Sequence, residues 1–167
     1  NLGINLNFAP VLDLDHGIGT VISDSNRAFS SDPKIVKKNS KIFIDQHRAS
    51  GIITCGKHFP GLGSASGDTH EGFTDISDTW TVKDLLPFDE LIRENNLDMV
   101  MISHAFDKKL DPIYPASLSK TIINDMLRND LGFNGPVICD DPSMRAISNH
   151  YSIHDIFELM LNAGVDL

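Results

Sequence analysis

The segment Gly56–Gly61 and the Asp68-Thr69-His70 that follows it carry the side chains best suited to acid–base chemistry. An imidazole beside a carboxylate is held in one tautomer and its cationic form is stabilised, so it can exchange a proton near neutral pH. Asp68 and His70 are therefore candidates for a catalytic pair. An isolated Asp-x-His is also typical of an Asx-type turn with an exposed histidine, and that alternative stays open here.

Four short apolar runs are each followed by polar residues. Apolar runs of this length are typical of strands that are buried on both faces of a parallel sheet. The four runs are Asn5–Leu12 closing on Asp13, Ile52–Cys55 closing on Gly56-Lys57-His58, Met99–Ile102 closing on Ser103-His104, and Pro136–Cys139 closing on Asp140-Asp141. A possible fifth strand begins at Val165. Because the carboxyl ends of parallel strands meet at one edge of a sheet, these polar side chains are expected to lie together.

Helical patterns alternate with the apolar runs. Asp32-Pro33 is a good helix start, because it combines an N-cap carboxylate with proline in the first turn. After it, Ile35, Val36, Ile42, Phe43 and Ala49 recur at helical spacing. The other predicted helices are Leu85–Glu94, Lys120–Arg128 entered through Ser119, and His154–Asn162 closed by Ala163-Gly164.

Alternating strands and helices indicate an α/β fold, either a doubly wound open sheet or a (β/α)8 TIM barrel. Several strand ends contribute polar residues, which favours the barrel, since a doubly wound sheet draws its site from fewer strands. A complete barrel takes about 250 residues, whereas the chain has 167. We therefore predict a partial barrel, with residues 1–167 forming the central-to-C-terminal part of one barrel domain.

Composition and charge argue against some classes of binding partner. The chain has 14 basic and 23 acidic residues and a net charge of −9, which argues against a nucleic-acid partner. No apolar run approaches the roughly 18 residues of a membrane span. Cys55 and Cys139 lie in apolar runs and are predicted to be buried reduced thiols. With no signal segment visible, the prediction is a cytoplasmic protein, although periplasmic or secreted locations stay open because the chain does not begin with Met.

Several of these motifs together are similar to those of a known enzyme family. The chain resembles glycoside hydrolase family 3, and within it the β-N-acetylglucosaminidase (β-hexosaminidase) branch. The motifs that carry it are Asn7–Asp13, Arg27-Ala28-Phe29 before Asp32-Pro33, Gly56–Gly61, Asp68-Thr69-His70, and Gly132–Gly135 leading to Asp140–Met144. One departure is Leu62, which stands where the branch usually has a second histidine.

The resemblance implies a retaining hydrolysis of β-linked N-acetylglucosamine, with no cofactor. Asp140 matches the nucleophile that forms the glycosyl-enzyme intermediate, and His70 with Asp68 matches the acid/base dyad. Arg27, Lys57 and His58 match sugar-binding positions, and their N–H groups are the donors that hydroxyl and acetamido oxygens require. Taken alone, Asp140 could equally be a helix N-cap. The implied substrate is an N-acetylglucosamine-containing oligosaccharide or a peptidoglycan-derived muropeptide, and transfer to phosphate instead of water stays open.

The Gly/Ser-rich segment Gly61–Gly67 suggests a mobile loop that lets the dyad swing over the sugar. Two other hypotheses remain. A metal-dependent barrel hydrolase would use His58, His70, His104 and Asp140 as ligands, although His104 could instead be a satisfied core histidine. Alternatively, the chain is an inactive fragment of a glycosidase that self-associates through open barrel edges.

Overall fold

The computed structural model describes residues 3–167 and contains one parallel sheet. Its strands are β1 (Leu6–Asn7), β2 (Ile53–Phe59), β3 (Met99–Ile102) and β4 (Val137–Cys139), and they lie side by side in the order β1-β2-β3-β4. A sheet whose parallel strands follow one another in chain order, with helical connections, is the arrangement of a barrel rather than of a doubly wound fold. The fold is therefore of the (β/α)8 type, present here as a four-stranded part.

Two predicted strands have different bounds. The run 5–12 pairs as a regular strand only at Leu6–Asn7, because Pro10 has no N–H to donate to the ladder. Val11 nevertheless bridges Lys57, and the Leu12 N–H donates to the Lys57 carbonyl at 2.6 Å. The second strand was predicted to end at Cys55 but continues to Phe59, since pairing with β3 extends along it.

The chain's last residues run along β4. The Cys139 N–H donates to the Leu167 carbonyl at 3.3 Å, and the Leu167 N–H donates to the Val137 carbonyl at 3.4 Å. The predicted fifth element at Val165 is thus hydrogen-bonded beside β4, although it is not a regular strand.

The predicted helices are present with shifted ends. The helices are α1 (Val21–Asp24), α2 (Pro33–Ala49), α3 (Val82–Arg93), a π-type helix (Thr121–Asp130), α4 (Arg145–Ser148) and α5 (Ile153–Ala163). Asp32 caps α2 by accepting from the Lys34 N–H at 2.9 Å. Gly164 ends α5 with φ 102°, a left-handed conformation that glycine adopts readily. Among the described residues, none of these helices is long and apolar enough to cross a bilayer.

The buried face of α2 differs from the predicted one. Val36 and Ile44 are buried, whereas Ile35 and Ile42 are 44% and 53% exposed. The helix packs on α3 and β2, and this packing buries the face that carries Ser40 rather than the face that carries Ile35 and Ile42. The main core lies between the helices and the sheet, around Phe59, Phe88 and Ile102. A smaller cluster, centred on Cys55, Met99 and Ile138, covers the other face of the sheet.

Candidate active site

The three predicted catalytic residues and the three predicted sugar-binding residues line one cleft of about 150 Å³. They are supplied by β2, by the segment that directly follows β4, and by the loops after β1 and β2. This is the carboxyl edge of the sheet, where parallel-strand enzymes bind their substrates. The six residues are Arg27, Lys57, His58, Asp68, His70 and Asp140.

His58 is held from both sides of its ring. Its Nδ1 lies 2.6 Å from the carboxylate of Asp13, which is fully buried, and its Nε2 lies 3.2 Å from the Arg27 guanidinium. Because a guanidinium has only donors, Nε2 must accept and the ring proton belongs on Nδ1, where it is donated to Asp13. Asp13 thereby sets the tautomer of His58 and, through it, the position of Arg27.

Lys57 extends from the middle of β2 into the same cleft, and its ammonium is partly removed from water. Burial lowers the pKa of Lys57, and the neighbouring Arg27 cation lowers it further. Asp140, on the loop that follows β4, attracts the Lys57 ammonium and so raises the pKa of Lys57 in opposition to these two effects. Lys57 and Arg27 thus place positive charge around the Asp140 carboxylate.

Asp140 is positioned by the end of the sheet. Its N–H donates to the Ile102 carbonyl at 2.9 Å, which continues the pairing of β4 with β3 by one residue. Its carboxylate accepts from the Asp141 N–H at 3.0 Å and lies 3.9 Å from Nε2 of His58. The side chain is only 18% exposed, so Asp140 is a partly buried carboxylate that opens into the cleft.

Asp68 and His70 form the predicted pair. One carboxylate oxygen of Asp68 accepts from the His70 backbone N–H at 2.9 Å and lies 2.7 Å from Nδ1 of the ring. The backbone hydrogen bond from His70 is the main cause that lowers the pKa of Asp68, and the His70 ring and the Arg27 charge add to it. The geometry is that of an Asx turn, and the turn holds the imidazole of His70 against the Asp68 carboxylate.

The loop between β2 and the dyad is less open than its composition suggests. Residues 61–65 are buried, and the Gly63 backbone lies directly against Leu14. The Val21 N–H also donates to the Ala65 carbonyl at 3.0 Å. The prediction of a mobile loop over the whole of Gly61–Gly67 therefore does not fit the packing, which leaves only Ser66 and Gly67 of that segment outside the buried part.

Sequence reasoning placed Asp13 at the end of the first strand and in the Asn7–Asp13 motif, but did not identify it as a site residue. The signal was available, because Asp13 follows an apolar run just as Asp140 does. Its carboxylate also accepts from the Leu62 N–H at 2.7 Å, so Leu62, which departs from the usual histidine, contributes its backbone to this network.

His104 is a core histidine outside the cleft lining. Its Nδ1 lies 2.7 Å from the Ser117 hydroxyl and its Nε2 lies 2.9 Å from the Asp141 carbonyl. Both ring nitrogens of His58 are engaged as well. These contacts argue against the metal-ligand set predicted from His58, His70, His104 and Asp140, since a ligand needs a free nitrogen lone pair. Within residues 3–167, ligand atoms gather closely only at an exposed surface group, His154, Asp155 and Glu158.

Comparison with known proteins finds relatives that match nearly the whole chain. A β-hexosaminidase of Hydrogenovibrio crunogenus is 41% identical over 99% of the chain and 46% of the relative. The crystal structure of a β-N-acetylhexosaminidase from Beutenbergia cavernae superposes with a TM-score of 0.93 at 34% identity, over 99% of this chain and 51% of that one. Zinc-bound CbsA from Thermotoga neapolitana gives a TM-score of 0.92 at 33% identity, over 99% of this chain and 36% of that one.

The chain spans about half the length of the curated relatives it matches. Residues 1–167 match the Glycosyl hydrolase family 3 N terminal domain along their whole length. The similarity therefore covers every residue that lines the cleft, and the chain belongs to glycosyl hydrolase family 3.

Proposed function

We propose that the chain carries the catalytic residues of a retaining β-N-acetylhexosaminidase that removes β-linked N-acetylglucosamine. The observation that carries the proposal is the convergence of Asp140, the His70–Asp68 pair and three donor side chains on one cleft. Relatives named β-hexosaminidase support the reaction class. Water is the acceptor that this reaction requires.

In the first step the Asp140 carboxylate attacks the anomeric carbon, and the bond from that carbon to the leaving-group oxygen breaks. His70 gives its proton to that oxygen. Asp68 engages Nδ1 of His70, so Nε2 is the nitrogen that exchanges the proton. In the second step His70 takes a proton from water, the water oxygen bonds to the anomeric carbon, and Asp140 is released.

Arg27, Lys57 and His58 bind the sugar in this scheme. Arg27 and Lys57 donate hydrogen bonds to hydroxyl or acetamido oxygens, and both are held near Asp140 by the network described above. Their positive charges also attract the Asp140 carboxylate and so help to hold it in the cleft.

The matched pair of variants Asp140→Asn and Asp141→Asn tests the nucleophile. Hydrolysis of an aryl β-N-acetylglucosaminide by the full chain should fall by at least about a thousandfold in Asp140→Asn. Asp141→Asn should retain most of the activity, because the Asp141 carboxylate accepts from the Ser143 N–H in an exposed turn and does not line the cleft. Full activity in Asp140→Asn would end the proposal.

Two further measurements test the mechanism. Proton NMR of the first-formed sugar should show the β-anomer, whereas the α-anomer would indicate inversion. Prolonged dialysis against a chelator should leave the rate unchanged, because the imidazoles of His58 and His104 are occupied by protein partners. Loss of activity that returns with added zinc would favour the metal-dependent alternative.

Three other expectations stay predictions. The natural substrate is an oligosaccharide that contains N-acetylglucosamine or a muropeptide of peptidoglycan recycling, and the protein is cytoplasmic. Residues 1–167 form the central-to-C-terminal part of the barrel. The low activity of an isolated piece and its self-association through open barrel edges also stay predictions. Light scattering of the purified chain tests the last of these, and a monomer would contradict it.

A further inference from the structure

None of the steps proposed above uses His104, a histidine that lies two residues after β3 and is 1% exposed. Its Nε2 lies 2.9 Å from the Asp141 carbonyl oxygen, and its Nδ1 lies 2.7 Å from the Ser117 hydroxyl. A carbonyl oxygen only accepts, so the ring proton belongs on Nε2, and Nδ1 accepts from the hydroxyl when the ring is neutral. Burial lowers the pKa of His104, although the hydrogen bond to Asp141 and the charges of Asp140 and Asp141 oppose this effect, so the ring is neutral near pH 7.

The Asp141 carbonyl belongs to the turn that carries Asp140. The Asp141 N–H donates to the Asp140 carboxylate at 3.0 Å, whereas the Asp141 carbonyl accepts from His104. Asp141 is therefore held at both ends of its backbone, by the proposed nucleophile at one end and by His104 at the other. Because both groups belong to one residue, the hydrogen bond at the carbonyl limits the rotation of the N–H that orients the Asp140 carboxylate.

This turn is anchored to the end of β3. The Asp140 N–H donates to the Ile102 carbonyl at 2.9 Å, and His104 lies two residues further along the same segment. The Met144 N–H also donates to the Asp141 carbonyl, at 3.0 Å, and closes the turn locally. That local bond moves with the turn, whereas the bond from His104 ties the turn to the sheet.

Ser117 holds the ring of His104 from its other side. Ser117 is fully buried, and the neighbouring Ala116 N–H donates to the Ala105 carbonyl at 2.9 Å, which keeps the two segments together. Hydrogen bonds at both ring nitrogens restrict the ring to one orientation. An apolar side chain of similar size would fill the same space but would leave the Asp141 carbonyl without this donor.

We propose that His104 is a positioning residue: through the backbone of Asp141, its Nε2–H fixes the orientation in which the Asp140 carboxylate faces the anomeric carbon. This proposal rests on the proposed function, because it takes Asp140 as the nucleophile. His104 does not line the cleft, where Arg27 and Lys57 bind the sugar in the proposed scheme. Loss of His104 should therefore slow the attack by Asp140 more than it weakens the binding of the sugar.

The matched variants His104→Gln and His104→Leu test this role. The glutamine amide can donate to the Asp141 carbonyl in place of Nε2–H, whereas leucine fills similar space without a donor. With an aryl β-N-acetylglucosaminide, kcat/KM should fall by about 100-fold in His104→Leu and by at most about threefold in His104→Gln. Ki for free N-acetylglucosamine should stay within about threefold of its original value in both variants. His154→Leu, which replaces an exposed histidine on α5, should change neither quantity.

The tautomer of His104 gives a second test that needs no variant. Nitrogen-15 NMR of the unmodified protein should show a proton on Nε2 of His104. A ring that carries its proton on Nδ1 alone would have no donor for the Asp141 carbonyl, and this result would overturn the proposal.

The outcomes separate the positioning role from the proposed function. An unchanged kcat/KM in His104→Leu, or an equal loss in His104→Gln and His104→Leu, overturns the positioning role and leaves the hydrolase intact. A parallel loss of kcat/KM and of affinity for N-acetylglucosamine also overturns it, since that result is expected if His104 only supports the packing around the site. Failure of the unmodified protein to hydrolyse any β-N-acetylglucosaminide, or full activity in Asp140→Asn, instead counts against the proposed function.

Discussion

Asp13 and His58 lie 45 residues apart in the chain, yet the buried Asp13 carboxylate contacts both the backbone N–H and the Nδ1 of His58. One carboxylate oxygen also accepts from Leu62. A single side chain at the end of the β1 segment therefore fixes a β2 residue that lines the cleft, and it fixes the loop that leads to the dyad.

Replacement of Asp13 by asparagine should disrupt the cleft without removing much volume. An amide NH₂ that faces Nδ1 would force the His58 proton onto Nε2, where it would oppose Arg27. We expect KM for an aryl β-N-acetylglucosaminide to rise more than kcat falls, and nitrogen-15 NMR of His58 to show the other tautomer. Asp15→Asn, on the exposed loop nearby, is the matched control. An unchanged tautomer in Asp13→Asn would contradict the prediction.

Lys57 should lose its charge at a lower pH than an ordinary lysine. Burial and the Arg27 charge lower its pKa below 10.5, whereas Asp140 works in the opposite direction. Because the pKa is lowered, the ammonium is fully present only at pH values below the shifted pKa, and sugar affinity that depends on it declines as the pH rises through that value. Affinity for N-acetylglucosamine, measured by titration calorimetry between pH 7 and about 11, should show this loss.

Lys57→Arg is the control for this pH dependence, since a guanidinium keeps its charge over the whole range. The loss of affinity on the alkaline side should then move upward or disappear. The nearby Cys55 thiol is not expected to interfere, because burial raises its pKa to about 12. The same alkaline decline in Lys57→Arg would show that another group causes it.

Asp98 should make the fold sensitive to acid. Burial raises its pKa, but hydrogen bonds from the Thr54 hydroxyl at 2.7 Å and from Arg48 at 2.8 Å outweigh burial and hold the pKa below 3.8. Since the pKa of the folded state is lowered, this stabilisation is complete above the unfolded pKa and is lost as the pH falls through the folded value. The free energy of unfolding should therefore drop below about pH 4.

Asp98→Asn should remove about 2 kcal/mol at neutral pH and flatten the acid-dependent loss, as measured by urea unfolding at several pH values. Asp45→Asn, which alters an exposed pair with Lys41 on α2, provides the comparison and should leave most of the acid dependence in place. Equal stability of Asp98→Asn and the unmodified protein at pH 7 would be inconsistent with the role assigned to Asp98.

Gly63→Ala should destabilise the loop that leads to the dyad. A Cβ at position 63 would lie 2.9 Å from the Leu14 backbone nitrogen and closer still to its carbonyl oxygen, so the two backbones must move apart. We expect a loss of about 1–3 kcal/mol, read from thermal unfolding. Gly72→Ala is the matched control on the same connection, because a Cβ there meets nothing within 4 Å. Similar unfolding temperatures for the two variants would refute the close approach.

Much of the site could be predicted because its residues sit at recognisable places. Asp140 follows the apolar run that forms β4, and the Asp68–His70 contact is a turn within three residues. The prediction was wrong for the secondary structure at Lys57 and His58, which were expected to follow a strand but lie within β2. Gly56, with the polar residues Lys57 and His58 after it, resembles a strand end, whereas pairing with β3 extends the strand.

The sequence alone determined what depends on neighbours in the chain: the strand and helix alternation, the Asp32-Pro33 start of α2, the Gly164 end of α5, and the Asx turn that joins Asp68 to His70. Only the tertiary structure decided which distant groups meet. Asp13 reaches His58, and Phe73 reaches Phe106 and His150, because strand register and loop packing bring them together. Local propensities act over a few residues, whereas these contacts arise from the placement of whole strands, and no local pattern encodes that placement.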